Sequence, residues 1–392
     1  MTPAARVQAA IEIVDLVIQA ARGNGPPADR IIVDWFRTRR FAGSSDRRAV
    51  RELAYGAIRQ CGEVPLSGRA AMLTCARADP ALAALFDGSP HAPAPIATSE
   101  RYARPGRAPA WLEKLLAASE VDGDLLGRAP LDIRVNSLKA ARESIDLPLA
   151  GEPTQAPHGL RLPFGTPVDQ WQAHKEGLIE VQDTGSQLAC MALAARPGET
   201  VIDLCAGAGG KTLALAAEMD NRGVLLACDT DRGRLSRLPP RAERAGAAII
   251  ATLLLDPGRE EAALSAWLGP NGAGADAVLV DAPCSGSGTW RRNPEARWRL
   301  SPAELVRLCA LQARLLDLAA RLVRRGGRLV YATCSLLDAE GADQIAAFLA
   351  RNPRFRADHL PGQTGLPRGS GNRLTPYRDG TDGFFVASLS CI

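Results

Sequence analysis

Two cysteines in the C-terminal half stand in turns that follow apolar, strand-like runs. Ala277-Val278-Leu279-Val280-Asp281 leads into Ala282-Pro283-Cys284-Ser285-Gly286, and Arg328-Leu329-Val330-Tyr331-Ala332 leads into Thr333-Cys334-Ser335. Most cysteines are small buried hydrophobes. Two at strand ends, each in a small polar turn, ask for another reading, because open α/β sheets bind ligands outside the carboxyl ends of their strands. The thiolate is the nucleophilic form of cysteine and needs surroundings that favour its charge. Methylation of carbon 5 of cytosine is one reaction that requires it. That ring carbon is a poor nucleophile until sulfur adds at carbon 6 and makes it enamine-like. A base then removes the carbon 5 proton and the thiol leaves. Asp281, three residues before Cys284, is the candidate carboxyl for stabilising the adduct at the ring nitrogen. Enzymes that methylate exocyclic amino groups carry an Asp/Asn-Pro-Pro-Tyr/Phe turn at such a strand end. Asp281-Ala282-Pro283-Cys284 stands here instead, which favours carbon over nitrogen as methyl acceptor.

A Gly-rich loop is the third chemical feature. Val201-Ile202-Asp203-Leu204 reads as a strand, followed by Cys205-Ala206-Gly207-Ala208-Gly209-Gly210-Lys211-Thr212 and then a helix. Glycines there let backbone approach a ligand, and the helix start adds N–H donors. The dinucleotide pattern G-x-G-x-x-G would start at Gly207 but meets Thr212 where it needs its last Gly. The phosphate-loop pattern fits Gly210-Lys211-Thr212 but meets Cys205 where it needs its first Gly, so a nucleotide triphosphatase is a near miss. S-adenosylmethionine asks for a tight Gly turn and a carboxylate at the next strand end to bind the ribose hydroxyls. Asp229, after Leu225-Leu226-Ala227-Cys228, stands at that place. A Gly-rich turn with no ligand is the bland alternative.

These features need strands and helices to hold them. From about Thr184 the pattern alternates: helix 184–195, strand 200–204, helix 211–219, strand 223–228, strand 276–281, helix 302–324 and strand 327–332. Such alternation argues a parallel sheet covered by helices on both faces. Residues 1–86 read as a small all-helical domain, with helical spacing over 5–21, 30–39 and 46–60. Residues 87–110 hold Pro90, Pro93, Pro95, Pro105 and Pro109 and read as a linker. Residues 111–180 read as a small α+β subdomain, and 181–392 as the catalytic domain.

The 392 residues carry a formal charge of +4, which permits an RNA partner without proving one. The nine cysteines are scattered with no C-x-x-C pair, so neither a metal site nor a disulfide framework is expected. Lys is rare, at Lys114, Lys139, Lys175 and Lys211, which draws notice to the Lys inside the Gly-rich loop. No apolar run reaches the ~18 residues of a membrane span, and the N-terminus lacks the pattern of a signal peptide, so a cytoplasmic protein is the expectation. Trp290, Arg291, Arg292, Arg297, Trp298 and Arg299 follow the Pro-Cys turn. Arginines among aromatics suit a surface for phosphates and unpaired bases, with a solvated basic loop as the alternative.

Together these segments resemble the RsmB-type (Sun) family of RNA cytosine-5 methyltransferases. The resemblance rests on Arg134-Val135-Asn136, Gln182-Asp183-Thr184-Gly185-Ser186-Gln187, Asp203 to Thr212, Asp229, Asp281 to Thr289, Arg291-Arg292-Asn293-Pro294, Thr333-Cys334-Ser335 and Asp382-Gly383-Phe384-Phe385. It covers the chain from about residue 130 onward. The paired Pro-Cys and Thr-Cys turns are specific; the Gly loop alone is not. The resemblance implies an α/β fold: a class I Rossmann-like methyltransferase sheet, preceded by a small α+β subdomain and an all-helical N-terminal domain. Gly43-Ser44-Ser45-Asp46-Arg47-Arg48 and Tyr55-Gly56-Ala57-Ile58-Arg59 resemble the NusB-like RNA-binding domain of bacterial rRNA members. The family makes Cys334 the nucleophile and gives Cys284 a part in releasing the methylated RNA; spacing alone does not choose between them. It implies S-adenosylmethionine contacts from Cys205, Ala206, Gly207, Ala208, Gly209, Gly210, Lys211, Asp229, Asp256 and Asp281. Ribosomal RNA is the substrate this implies, with tRNA as alternative. One departure is Ala208, where the family commonly has Pro. A non-catalytic RNA-binding assembly factor on the same fold is a further alternative, opposed by the presence of both cysteines and Lys211. The oligomeric state is not legible.

Overall fold

A computed structural model describes residues 1–23, 25–269, 274–360 and 364–392. The chain divides into two compact units, Met1–Gly127 with Thr289–Pro302, and Arg128–Gly288 with Ala303–Ile392. Among the described residues no helix is long and apolar enough to cross a membrane.

The first unit is helical: Pro3–Arg22, Ala28–Arg37, Ser44–Gln60, Gly68–Ala78, Pro80–Ala83 and Ala110–Ala118. Its first helix starts where the Thr2 side chain accepts from the Ala5 N–H and Pro3 occupies the first turn, a position where Pro loses no hydrogen bond. Val7, Val14 and Ile18 of that helix meet Ile32, Phe36, Val50, Ile58 and Leu73 in one apolar core. Residues 87–110, expected as a linker, are tied into this unit. Arg69 pairs with Glu100, the Gly62 N–H donates to the Arg104 carbonyl, and Gly106 donates to the Gln60 carbonyl. Prolines remove donors from a stretch but leave its carbonyls able to accept, so Pro content alone did not distinguish a tether from a packed strap.

Segment 289–302 also belongs to this unit, and here the structure corrects the reading of its arginines and tryptophans as a nucleic-acid surface. Trp290, Trp298 and Arg297 are buried. The Arg297 guanidinium donates to the carbonyls of Ile58 at 2.7 Å and Cys61 at 2.8 Å, at the end of helix Ser44–Gln60. The Trp298 indole N–H reaches the same Cys61 carbonyl, and Arg299 donates to the carbonyls of Gly25 and Pro26. The last carbonyls of a helix have no partners within it, and Arg297 supplies them.

The second unit holds two sheets. β1 (Leu131–Val135), β2 (Glu152–Pro153), β3 (Gly159–Leu162) and β4 (Ile179–Val181) form an antiparallel sheet in the order β2-β3-β1-β4. Among the described residues the larger sheet has nine strands: β5 (Thr200–Asp203), β6 (Val224–Asp229), β7 (Ile250–Leu254), β8 (Ala275–Asp281), β9 (Val323–Thr333), β10 (Phe355–Asp358), β11 (Leu366–Arg368), β12 (Gly371–Leu374) and β13 (Phe384–Cys391). β7-β6-β5-β8-β9 run parallel, and β13 adds antiparallel to β9. β5, β6 and β8 are buried on both faces, which explains why they read as continuous apolar runs rather than alternating ones. The strand order reverses between β5 and β8, so a crevice opens at their carboxyl ends. This is the class I Rossmann-like arrangement expected from the sequence.

Candidate active site

A cavity of ≈ 320 Å³ lies at those carboxyl ends, walled in part by Cys205, Asp229, Asp281, Cys284 and Cys334. Ligand pockets commonly measure about 300–1,000 Å³. Each of these side chains stands at or just past the end of β5, β6, β8 or β9, because consecutive parallel strands present their ends on one edge.

The Gly-rich loop leaves β5 and turns into helix Gly210–Glu218. Gly207 and Gly209 hold φ of 56° and 85°, a region that side chains other than Gly adopt at a cost. A Cβ on Gly207 would meet the Arg234 guanidinium at 2.3 Å, and one on Gly209 would meet Leu238 at 2.1 Å. Asp229 fastens the turn: one carboxylate oxygen accepts from the Gly207 N–H and the other from the Asp231 N–H, both at 2.7 Å. A carboxylate has about four lone-pair sites, so two remain for a ligand's hydroxyls. Of the loop, Cys205 lines the cavity; the Ala208 carbonyl instead accepts from Arg241.

Lys211 points to Asp281, with Nζ 2.8 Å from Oδ2. Burial alone would lower its pKa, but the Asp281 carboxylate outweighs burial and holds the ammonium above its ordinary value. The lysine therefore neutralises a cavity carboxylate, an arrangement unlike the extended lysine of a phosphate loop. Beneath it Asp203 is fully buried and accepts from the Thr212 hydroxyl at 2.7 Å. Burial pushes its carboxyl up to about 7.

The sulfurs of Cys284 and Cys334 are 3.4 Å apart. The hydrogen bond with Cys334 and burial push the Cys284 thiol well above its ordinary range. One thiol of the pair is thus held protonated against the sulfur of the other. Cys205 is also pushed up by burial, as expected of an inert small hydrophobe.

The matching family model is the 16S rRNA methyltransferase RsmB/F family, over residues 190–390. A relative from Sodalis glossinidius, ribosomal RNA small subunit methyltransferase B, is 33% identical over 309 residues, 76% of this chain and 69% of its own. The chain belongs to the RsmB/F family of 16S rRNA methyltransferases. A Salmonella newport relative of the same description is 38% identical, and its match spans 67% of this chain and 60% of its own length. Among solved structures, the protein PH0851 superposes with a TM-score of 0.72 at 26% identity, over 98% of both chains. A methyltransferase homolog protein from Pyrococcus horikoshii gives 0.55 at 27% identity, over 71% of this chain and 90% of its own.

Set against the family's site residues, the fold brings Cys205, Asp229, Asp281, Cys284 and Cys334 to one cavity and leaves Asp256 outside its wall. Asp256 lies two residues beyond β7 with an exposed side chain. Glu260, the next acidic residue, lines the cavity and accepts from Arg314 at 2.8 Å. Sequence reasoning missed Glu260, Arg234 and Arg314, and it missed Gln312 and Glu340 behind the cysteines. Only Gln312 carried a signal. It falls on the apolar stripe of helix Pro302–Leu322 with Leu308, Leu315 and Leu316, where a polar side chain must have a partner.

Proposed function

We propose that this chain transfers a methyl group from S-adenosylmethionine to carbon 5 of a cytosine in small-subunit ribosomal RNA, with Cys334 adding to carbon 6. The observation that carries this reading is the pair of thiols 3.4 Å apart at two strand ends of one methyltransferase cavity. Addition at carbon 6 takes one thiol, and a second within reach of it can serve the elimination. The rRNA substrate follows the description shared by the relatives.

The residues present fit the cofactor. Gly207 and Gly209 keep side chains away from the loop, Asp229 offers remaining lone pairs at the cavity, and Asp281 and Glu260 add acceptors to the wall. When bound, the cofactor supplies an electrophilic methyl group. Cys334, as thiolate, forms the bond to carbon 6 of the cytosine. Negative charge builds at the ring nitrogen as the sulfur adds, and Asp281 stabilises it in its acid form by giving that nitrogen a proton, with the Lys211 ammonium 2.8 Å away to hold the carboxylate that results. Cys284 serves the elimination, in which the carbon 5 proton is removed and the bond from carbon 6 to sulfur breaks. Its protonated resting state agrees with that order of events. Once the Cys334 sulfur is bonded to carbon it is a weaker hydrogen-bond partner, so the largest cause of the raised Cys284 pKa weakens while burial remains. Cys284 then loses its proton more readily at the step that needs a base. The target base must reach thiols behind the surface, so it must be unpaired or flipped out.

Replacing each cysteine in turn tests this. Cys284→Ala should attack and methylate but stay bonded to its RNA, giving a slow-moving protein–RNA band on a denaturing gel. Cys334→Ala should give no band and no methyl transfer. A band from Cys334→Ala and none from Cys284→Ala would make Cys284 the nucleophile. Normal turnover by Cys334→Ala would end the covalent reading.

A further inference from the structure

The turns that carry the two cysteines leave adjacent strands, and the parallel ladder stops before them. The Ala282 N–H still donates to the Ala332 carbonyl at 2.9 Å, but beyond it the turns are irregular. One further backbone bond joins the turns, from the Gly288 N–H to the Cys334 carbonyl at 3.0 Å, and the rest of their spacing comes from side chains. Glu340, fully buried six residues after Cys334, collects both turns. Its Oε1 accepts from the Ser285 N–H at 2.8 Å and from the Gln312 amide at 3.0 Å. Its Oε2 accepts from the Ser335 hydroxyl at 2.6 Å and from the Ser285 hydroxyl. Gln312 extends the clasp by donating from the same amide nitrogen to the Pro283 carbonyl at 2.9 Å, which fixes the orientation of that amide. Ser335 is held further: its oxygen accepts from the Leu337 N–H at 3.1 Å and lies 3.0 Å from the Ser287 hydroxyl. Ser285 follows Cys284 and Ser335 follows Cys334, so one carboxylate grips the residue after each thiol.

We propose that Glu340 is a positioning residue that sets the separation of the Cys284 and Cys334 thiols. A buried carboxylate is costly unless its lone pairs are used. Here four donors use them, and all four come from the two cysteine turns or from the glutamine that braces one of them. Merely filling that space would not require charge, whereas holding two loops by four donors does. Glutamine at 340 would break the clasp with little change in shape. Its oxygen must stay toward the Ser285 N–H and Gln312, which can only donate. Its NH₂ would then face the two serine hydroxyls, and Ser335 already accepts from Leu337. The proposal rests on the two-thiol reading for its catalytic consequence but not for its geometric one.

The test therefore uses two readouts on the full chain. The first is disulfide formation between Cys284 and Cys334 with diamide, an azo oxidant reduced to its hydrazine as the two thiols join, followed by peptide mass mapping. Closing two sulfurs to a bond length near 2.05 Å demands their correct placement. Glu340→Gln should slow it about tenfold or more, the scale of a lost hydrogen bond to a charged group. The second readout is single-turnover methyl transfer, which should fall about tenfold to a hundredfold while the cofactor Kd and the KM for RNA hold. Ser285→Ala, a smaller change that keeps the buried carboxylate, should shift both readouts in the same direction and stands in if Glu340→Gln fails to fold. Unchanged disulfide rates in the folded variants would overturn the proposal. Slowed disulfide formation with no adduct in Cys284→Ala would instead uphold the clasp and sink the covalent mechanism, so the two failures are told apart.

Discussion

Asp229 and Asp203 are both carboxylates at ends of neighbouring strands, yet their surroundings give them different work. Asp229 is bonded to two backbone N–H groups and borders the cavity. Asp229→Ala should weaken S-adenosylmethionine binding about tenfold or more, since hydrogen bonds to a charged group contribute about 1.5–3 kcal/mol. Calorimetry that finds an unchanged Kd would remove it from the cofactor site. Asp203 has no place on the cavity wall, and its carboxyl is pushed up to about 7 by burial. A carboxyl raised on folding binds more protons in the native state than in the unfolded one, so its ionisation costs stability. That cost is absent below the unfolded pKa of about 4 and complete above about 7. Asp203→Asn, which carries no charge, should therefore gain stability relative to the parent as pH rises from 4 to 8. Urea melts at both ends of that range would show it; a constant difference would mean that Asp203 stays charged in the fold without penalty.

Segment 289–302 shows how an element's meaning depends on what it packs against. Arginines and tryptophans following a catalytic turn suggest a nucleic-acid surface, but Arg297 and Trp298 instead complete the end of helix Ser44–Gln60. Arg297→Met keeps much of the side chain's length and removes its donors. It takes the guanidinium away from the Ile58 and Cys61 carbonyls, which keep only the Cys61 N–H and the Trp298 indole N–H, at about 1.5–3 kcal/mol for each hydrogen bond lost from a charged group. Chemical denaturation should show a loss on that scale. An unchanged midpoint would mean that water or backbone shifts replace the guanidinium.

At the scale of the whole chain, the first unit is discontinuous, with 161 residues between Gly127 and its last piece. A cut after residue 86 or 110, the boundaries that sequence suggests, would divide this unit. The clean removal deletes Met1–Gly127 and replaces residues 289–301 with a Gly/Ser segment of equal length. That chain should retain cofactor affinity and lose affinity for structured RNA, as filter binding would report; equal RNA affinity would give the helical unit another role. Deleting Met1–Gly127 alone should yield a poorly soluble chain, because Trp298 loses the core it packs in.

The sequence by itself determined the alternating strands and helices, the Gly-rich turn after β5, Asp229 at the end of β6 and the two cysteine turns. All of these are local: apolar runs, turn residues and the strand ends between them are read within a dozen residues. The tertiary structure decided the rest. The thiols stand 3.4 Å apart although 50 residues separate them. Arg297 meets Ile58 across 239 residues, and Glu340 joins turns from two strands. Local patterning tells which side chains must leave water, but not which buried face they meet. A buried polar side chain takes its role from the donors and acceptors that packing brings to it, and those come from anywhere in the chain.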